Sequence, residues 1–338
     1  MIRIGIIGMG IRGKLFAETI GQNDHAKVVA VADPNAATLR EAEDAFGAKG
    51  YERYQDMIDD SRLDAVIVAT PDFLHREPVL YAAGRGLHIL VEKPFSTSVD
   101  DCREMAEAIR RHGVKCLVAF ENRWNIPIAA VMDQVRRKRI GEVYTVNARL
   151  NDTIFVPTKL LPWAKDSTVG WFLFPHIADL VCLFKGEGKK VTSVYAVGAK
   201  KKLAAMGFDT YDTIQAVLNF SDGTHSTLSS SWILPDKMPM IYDFKMEIIG
   251  DAGAIYVDTQ DQMVRMAVPD QYQHLHTLGT PVNGKLTAGP AFMLHSFIDD
   301  LRFDRKPVTT EQDGLINTLI VAAIHESVAT GNVVQVSY

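Results

Sequence analysis

Cysteine is scarce in this chain of 338 residues. The three present, Cys102, Cys116 and Cys182, form no CxxC pair and no metal-site spacing. An odd, sparse set excludes a disulfide framework and fits a reducing compartment, with buried apolar thiols as the default, so a cytoplasmic location is expected. No apolar run is long enough to span a bilayer. The apolar run at the N-terminus is too short for a signal peptide and is soon followed by Arg12 and Lys14, so it reads as a strand. Basic charge is not in excess either. Lys and Arg number 36 against 41 Asp and Glu, a formal net charge of −5, which argues against nucleic acid and anionic membranes as partners. There is no internal repeat and no low-complexity tract. What is present is ordinary for a globular protein, 47% hydrophobic and 23% charged residues. The chain is too long for one typical core, which predicts two domains.

The organising stretch is the first thirteen residues. Ile2 to Ile7 is a short apolar run, GMGIRG follows directly, and a helix pattern opens behind it from Lys14 to Gly21. A buried strand that runs through a glycine turn into a helix N-terminus is a phosphate cradle. Gly8 permits the tight turn, Gly10 lets a pyrophosphate approach the backbone, and Gly13 allows close helix–strand packing, with Ile11 and Arg12 completing the loop. A second run, KVVAVAD, ends in Asp33, about 20 residues past the last glycine, where a carboxylate can bind a ribose 2′-hydroxyl. The agreement of strand, turn, helix and acid argues against a glycine turn without a ligand. The acid favours NAD. NADP fits less well, because its 2′-phosphate asks for an arginine and Arg40 lies further on, inside a helix.

Residues 1–121 alternate strand and helix patterns. Pro34 starts a turn into an amphipathic helix from Ala37 to Phe46, stopped by Gly47. DAVIVAT (Asp64 to Thr70) is a buried strand with a helix behind it to Gly84, and His88 to Val91 is another strand. Ser98, with Asp101 three residues on, caps a helix to Arg111 that Gly113 closes. Val114 to Phe120 is a further strand. Repeated βα units predict a parallel, doubly wound sheet, whose ligands sit at the carboxyl ends of the strands. Those ends carry GMGIRG, Asp33, Thr70 and Pro71, Glu92 to Pro94, and Glu121 to Arg123.

After Arg123 the pattern changes. A helix from Pro127 to Arg137 has a basic outer face that reads as solvated. Strand patterns then follow with little helix between them: Val143 to Leu150, Val191 to Ala199, Thr213 to Phe220, Thr224 to Trp232, Phe244 to Gly250, Ala254 to Thr259 and Met263 to Ala267. The alternation in TVNARL and THSTLSSSW suits an antiparallel sheet with one wetter face. Gln271 to Pro290 is polar and glycine-rich, which predicts a long loop. Its His274 and His276 have no supporting ligand cluster and read as solvated, so no metal is expected. Helices from Ala291 to Phe303 and from Glu311 to Thr330, the latter stopped by Gly331, and a short VVQV strand end the reading.

Taken in order, GMGIRG with Asp33, ATPDFLH (Ala69 to His75), VEKP (Val91 to Pro94), HIAD (His176 to Asp179) and LINTLIVAAIHESVATGNVV resemble the Gfo/Idh/MocA family of nicotinamide-dependent oxidoreductases. The resemblance covers essentially the whole chain, and VEKP is its most specific piece. It implies an α/β protein: an N-terminal Rossmann domain with a doubly wound parallel sheet, here residues 1–121, and a C-terminal α/β domain with an open, mostly antiparallel sheet, here 122–338. It also implies a homodimer or homotetramer joined through that second sheet, and substrates among sugars, inositols and related polyols or their keto forms. Thr70, Pro71 and His75 match a loop that in similar proteins passes the ribose and nicotinamide, although His75 equally suits a helix cap. A cis Lys93–Pro94 bond is common in such proteins.

The chemistry agrees with the resemblance. Oxidising a secondary alcohol leaves a hydroxyl proton to be removed, and the reacting carbon must be held against the cofactor. Lys93, beside Glu92 at the sheet edge, is the candidate acid/base. An ordinary lysine pKa, near 10.4, is too high for a base at neutral pH, and partial burial with a positive nicotinamide nearby would lower it. The alternative is a lysine in an ion pair with Glu92. His176 lies in the apolar GWFLFPHIADL. It is either a satisfied core residue or, as the resemblance implies, a substrate or proton-relay residue, with Asp179 on the same helix face.

Many family members place an aspartate four residues before this histidine, where this chain has Phe172, preceded by Trp171. Three readings stay open: Lys93 and His176 suffice, a carboxylate such as Asp152 or Asp179 takes over, or the aromatic pair lines a sugar face. Arg123 either contacts substrate or anchors the domain junction. Asp152 and Trp163 fall in NDTIFVPTKLLPW, a stretch that could reach over a cleft, with Trp163 a pocket wall or a core plug. The reading is an NAD-dependent dehydrogenase of a sugar, inositol or polyol. Its alternatives are an NAD-dependent glycoside hydrolase acting by transient oxidation and elimination, and a non-catalytic dinucleotide-binding regulator. A methyltransferase would not need VEKP.

Overall fold

A computed structural model describes the chain except residues 261–262, 270 and 275–279, and of 271–274 only the backbone. Contacts divide it into two compact units, Met1–Trp124 with Pro281–Thr318, and Asn125–Thr280 with Leu319–Tyr338.

The first unit begins β1 (Ile2–Ile7), α1 (Ile11–Gly21), β2 (Ala26–Ala32), α2 (Ala36–Phe46), β3 (Lys49–Tyr51), α3 (Tyr54–Asp60), β4 (Ala65–Val68), α4 (Arg76–Gly84), β5 (His88–Val91), α5 (Val99–His112) and β6 (Cys116–Val118). The strands are parallel, in the order β3-β2-β1-β4-β5-β6. Strand order therefore reverses between β1 and β4, the switch point at which such sheets bind ligands. Helices on both faces explain why β4 and β5 read as unbroken apolar runs. Alternate residues feed two cores: Val66, Val68, Ile89 and Val91 join Met105 and Ile109, while Ile4, Ile6, Ile67 and Leu90 join Phe16 and Ile20. Asn35 and Ser98 cap α2 and α5 with their side chains. Neither β3 nor α3 is legible in the sequence, because each is too short to show a period.

The second unit holds α6 (Ile126–Arg136), β7 (Val143–Thr153), α7 (Val169–Lys185), β8 (Val191–Ala199), α8 (Lys202–Ala205), β9 (Thr213–Phe220), β10 (His225–Leu234), β11 (Tyr242–Gly250), β12 (Ala254–Asp258), β13 (Arg265–Val268) and β14 (Gln271–His274). The chain then returns to the first unit through α9 (Gly289–Arg302), starts α10 (Glu311–Thr330) there, and finishes in the second unit with β15 (Val334–Gln335). The second sheet has the order β12-β11-β7-β10-β9-β8-β15. Only the β7–β10 pairing is parallel among those described. Alternation is clean in β9, where Ile214, Ala216, Leu218 and Phe220 are buried and Gln215, Val217 and Asn219 are exposed. Helix α7 packs on β7, β9 and β10.

The structure differs from the sequence reading in three places. A single cut at 121/122 does not describe the contacts. Met293, Leu294, Phe297 and Ile298 of α9 fill the same core as Phe16 and Ile20, so a late segment belongs with the first unit. The expected loop from Gln271 to Pro290 is partly ordered, since Gln271–His274 pairs with Arg265–Val268 and α9 starts at Gly289. The side chain of His274, and all of His276, lie outside the described residues. Thirdly, α7 is a 17-residue helix, of which the sequence shows only the shared helix face of His176 and Asp179. It is apolar on nearly every side and contains Pro175, so it lacks the polar stripe that marks a surface helix. Among the described residues, no helix is long and apolar enough to cross a membrane, and no cluster of His, Cys, Asp and Glu could hold a metal ion.

Candidate active site

The first unit gathers the predicted cofactor residues at the carboxyl ends of its strands. Gly8, just past β1, has φ 89°, and a Cβ there would lie 2.8 Å from Ala69 O. A Cβ on Gly13 would lie 2.0 Å from Gly8 O. Both glycines are demanded by the protein's own packing. Gly10 is different: its φ of −69° suits any residue, and a Cβ would meet nothing within 4 Å. The fold does not ask for glycine at position 10, whereas a ligand drawn close to the backbone does. Gly10 is also the N-cap of α1 and offers no side chain to the first-turn amides, so these remain available to an anion.

Asp33, at the end of β2, braces this turn. Its Oδ2 accepts from Met9 N (2.9 Å) and its Oδ1 from Asn35 N (2.9 Å), and a carboxylate has acceptor capacity beyond those two bonds. Past β4, Thr70 Oγ1 is buried with no hydrogen-bond partner among the described residues. A buried hydroxyl in that state costs about 1–3 kcal/mol unless a bound group satisfies it.

Arg12 joins three strand ends. Its guanidinium pairs with Glu92 (2.5 Å), past β5, and with Glu121, past β6. Burial alone would disfavour the charge, but the carboxylates of Glu121 and Glu92 outweigh it and hold Arg12 protonated well above the ordinary arginine range. Glu92 also accepts from the backbone N–H of Lys93 (3.1 Å). Lys93 is linked to Pro94 by a cis peptide bond. Burial pushes its ammonium below the usual lysine range. Glu92 and Glu121 oppose that shift, Arg12 adds to it, and Asp72 opposes it.

His75 is buried, its Nδ1 2.8 Å from Pro94 O and its Nε2 3.1 Å from Thr70 O. The ring ties the loop after β4 to the loop after β5. It makes no capping bond to α4, which corrects that alternative. Arg123 donates to Val308 O (3.3 Å) and Asp313 Oδ1 (3.0 Å), both within the first unit.

The second unit presents the substrate candidates on and around α7. Phe172, His176 and Asp179 follow one another at i, i+4 and i+7 and so share a helix face. Phe172 and His176 are half-buried and Asp179 is buried. The half-buried Trp163 meets Phe172 edge-on, with ring centroids 6.0 Å apart, and Phe172 lies 6.2 Å from the fully buried Trp232. Trp163 therefore borders an aromatic row rather than plugging a core. Asp152, near the end of β7, is buried opposite Tyr242 of β11.

Two family models match this chain: "Oxidoreductase family, NAD-binding Rossmann fold" over residues 2–120 and "GFO/IDH/MocA C-terminal domain" over residues 128–256. The chain belongs to the Gfo/Idh/MocA family. Among relatives, 2,7-anhydro-N-acetylneuraminate hydratase of Escherichia coli (strain K12) is 27% identical over 277 residues, which span 81% of this chain and 72% of that protein. Inositol 2-dehydrogenase of Rhizobium meliloti (strain 1021) is 28% identical over 97% of both chains. The structure of scyllo-inositol dehydrogenase from Lactobacillus casei with bound NAD(H) and scyllo-inositol has the same fold, with a TM-score of 0.86 at 20% identity over 100% of both chains.

As a Gfo/Idh/MocA protein, the chain has an NAD-binding Rossmann domain, and its cradle fits a dinucleotide. The fit rests on the open position of Gly10, the unsatisfied Thr70 hydroxyl and the acid at the end of β2. Two contributors escaped the sequence reading of this Gfo/Idh/MocA site. Glu121 was placed at the sheet edge without a role, and Asp72, buried inside PDFLH, was passed over. A charged residue in a strand-end loop was the signal for each. Its partner, far off in sequence, was not.

Proposed function

We propose that this protein is an NAD-dependent dehydrogenase that interconverts a secondary alcohol and a ketone of an inositol, sugar or related polyol. Bound NAD supplies the hydride acceptor. The observation that carries the reading is Lys93: a half-buried lysine just past β5, lowered in pKa chiefly by desolvation, whose neighbour Glu92 is already engaged by Arg12. In oxidation, neutral Lys93 Nζ removes the hydroxyl proton, and in reduction its ammonium returns one to the carbonyl oxygen. Gly8 to Gly13 receive the pyrophosphate, Asp33 the ribose, and Thr70 and Pro71 border the nicotinamide side. His75 acts on that side by holding the loops that carry Thr70 and Lys93. His176, Phe172 and Trp163 bind the substrate, with Asp152 and Asp179 as their polar surround. Similarity to an inositol 2-dehydrogenase over 97% of both chains supports the substrate class.

The same reading includes a homodimer or homotetramer formed through the exposed face of the second sheet. That face carries Tyr144, Tyr195, Val197, Val217 and Tyr256, all well exposed for apolar or aromatic side chains. A cytoplasmic location is part of the reading, supported by three free cysteines.

The test is a panel of myo-inositol, scyllo-inositol and simple sugars with NAD and NADP, read at the NADH absorbance, for the wild type and Lys93→Ala. The variant is expected to bind NADH as the wild type does and to lose most turnover. Retained turnover would remove Lys93 from its role. Similarity to a hydratase supports a second reading, a lyase or glycoside-cleaving activity that leaves NAD unchanged overall. Product formation without net NADH would favour it.

A further inference from the structure

The second half of α10 presses a histidine against the start of α7, and nothing in the proposed mechanism uses it. His325 Nδ1 lies 2.7 Å from Val321 O, and its Nε2 lies 2.6 Å from Thr168 Oγ1. A carbonyl can only accept, so Nδ1 carries a proton. Burial lowers the pKa of this imidazole and so favours the neutral ring, in which Nε2 accepts from the Thr168 hydroxyl. Thr168 Oγ1 in turn accepts from Trp171 N at 3.1 Å. One line of donors therefore runs from Trp171 N–H to the Thr168 hydroxyl, to His325 and to Val321 O, each link polarising the next.

The same ring is also a plate. It stacks on the indole of Trp171 with centroids 4.7 Å apart and planes 11° from parallel. It sits so close to the helix that a Cβ on Gly170 would lie 2.7 Å from its Cε1. Glycine at 170 makes room for the ring.

Threonine can cap a helix unaided. The histidine adds direction: it fixes where the hydroxyl proton points, and its flat contact fixes the indole. Trp171 comes directly before Phe172 and five residues before His176, within the opening turns of α7. At 3.6 residues per turn, any rotation of that opening swings both side chains.

We infer that His325 is a positioning residue: through Thr168 and Trp171 it sets the rotation of the first turns of α7, and so the aim of Phe172 and His176 at the substrate. The inference rests on the proposed function, in which α7 supplies the substrate-binding face.

The experiment compares wild type, His325→Phe, Thr168→Val and Thr168→Ser with NAD and myo-inositol or scyllo-inositol, beside NADH binding followed by fluorescence. His325→Phe keeps a flat ring and loses the bond to Thr168, while Thr168→Ser keeps the hydroxyl. In His325→Phe and Thr168→Val, kcat/KM for the inositol is expected to fall about ten- to a hundredfold, the range for a reacting group misplaced by about 1 Å. NADH affinity should stay at the wild-type value, and Thr168→Ser should restore turnover. Amide deuterium exchange over residues 168–176 should rise in the two damaged variants and not in Thr168→Ser.

Wild-type kinetics in both His325→Phe and Thr168→Val would overturn the inference. So would a parallel loss of inositol and NADH affinity with a lowered melting point, which marks a purely structural role. A wild type that oxidises neither inositol strikes the proposed function first and takes the positioning role with it. Normal wild-type turnover with undamaged variants strikes the positioning role alone.

Discussion

Lysine becomes a base near neutral pH only when its surroundings disfavour the ammonium form. At Lys93 burial does this, and the nearby acids work against it. Arg12 adds to the lowering and also pairs with Glu92 and Glu121, the acids that favour the charged lysine. In the proposed mechanism oxidation needs neutral Lys93, so its rate should rise with pH through a pKa below the ordinary 10.4 of lysine. Replacing Arg12 with Met removes a neighbouring positive charge and releases two carboxylates. The acid limb of the kcat/KM profile should then move to higher pH in Arg12→Met. An unmoved limb would mean that the titrating group is not Lys93. The lysine and its strand-end position are legible from VEKP, but the arginine that pairs with Glu92 is 80 residues from that acid in sequence, so the pairing is invisible until the sheet forms.

The strand–turn–helix element from β1 to α1 separates packing from binding within six residues. Gly13→Ala would place a methyl group against the Gly8 carbonyl, and such overpacking costs about 1–3 kcal/mol. Its melting point should fall. Gly10→Ala meets only open space and should cost no more than about 1 kcal/mol as a cap change, yet NAD affinity should drop sharply in a titration. Equal stability losses in the two variants would contradict this division.

At α8 a second element depends on one carboxylate. Asp212, buried, accepts from the backbone N–H groups of Lys201 (2.7 Å), Lys202 (2.7 Å) and Leu203 (2.8 Å). Burial alone would raise its pKa, but these bonds hold it below the usual aspartate range. A lowered carboxyl gives stability that is complete above the unfolded pKa and is lost as pH falls through the folded value. Asp212→Asn should therefore cost about 1–3 kcal/mol at pH 7, and the gap from wild type should close below about pH 4 in thermal melts. The helix patterns of α2 and α5 were readable from cap and stop residues. α8 was not, because its cap sits eleven residues downstream of the amide it serves first.

Across the whole molecule, the second sheet shows one face rich in Tyr, Val, Thr and Ser, with Val217 opposite both Tyr195 of β8 and Thr227 of β10. If that face joins subunits, Val217→Lys should lower the oligomer's mass in sedimentation equilibrium while leaving the far-ultraviolet circular dichroism unchanged. A mass unaffected by this substitution would place the subunit contact elsewhere.

Local sequence sufficed for whatever depends on neighbours within a few residues: the phosphate turn, the acid at the end of β2, the parallel strands buried on both faces, and the alternating strands of the second sheet. Folding in three dimensions settled what depends on distant partners. It brought α9 back to the first core, turned an apolar stretch with an internal proline into α7, and matched Arg12 to two acids and His325 to Thr168. The reason is one of range. Turn geometry and hydrophobic period act over one or two turns of chain, whereas a buried charge or hydroxyl accepts whichever partner the packing delivers.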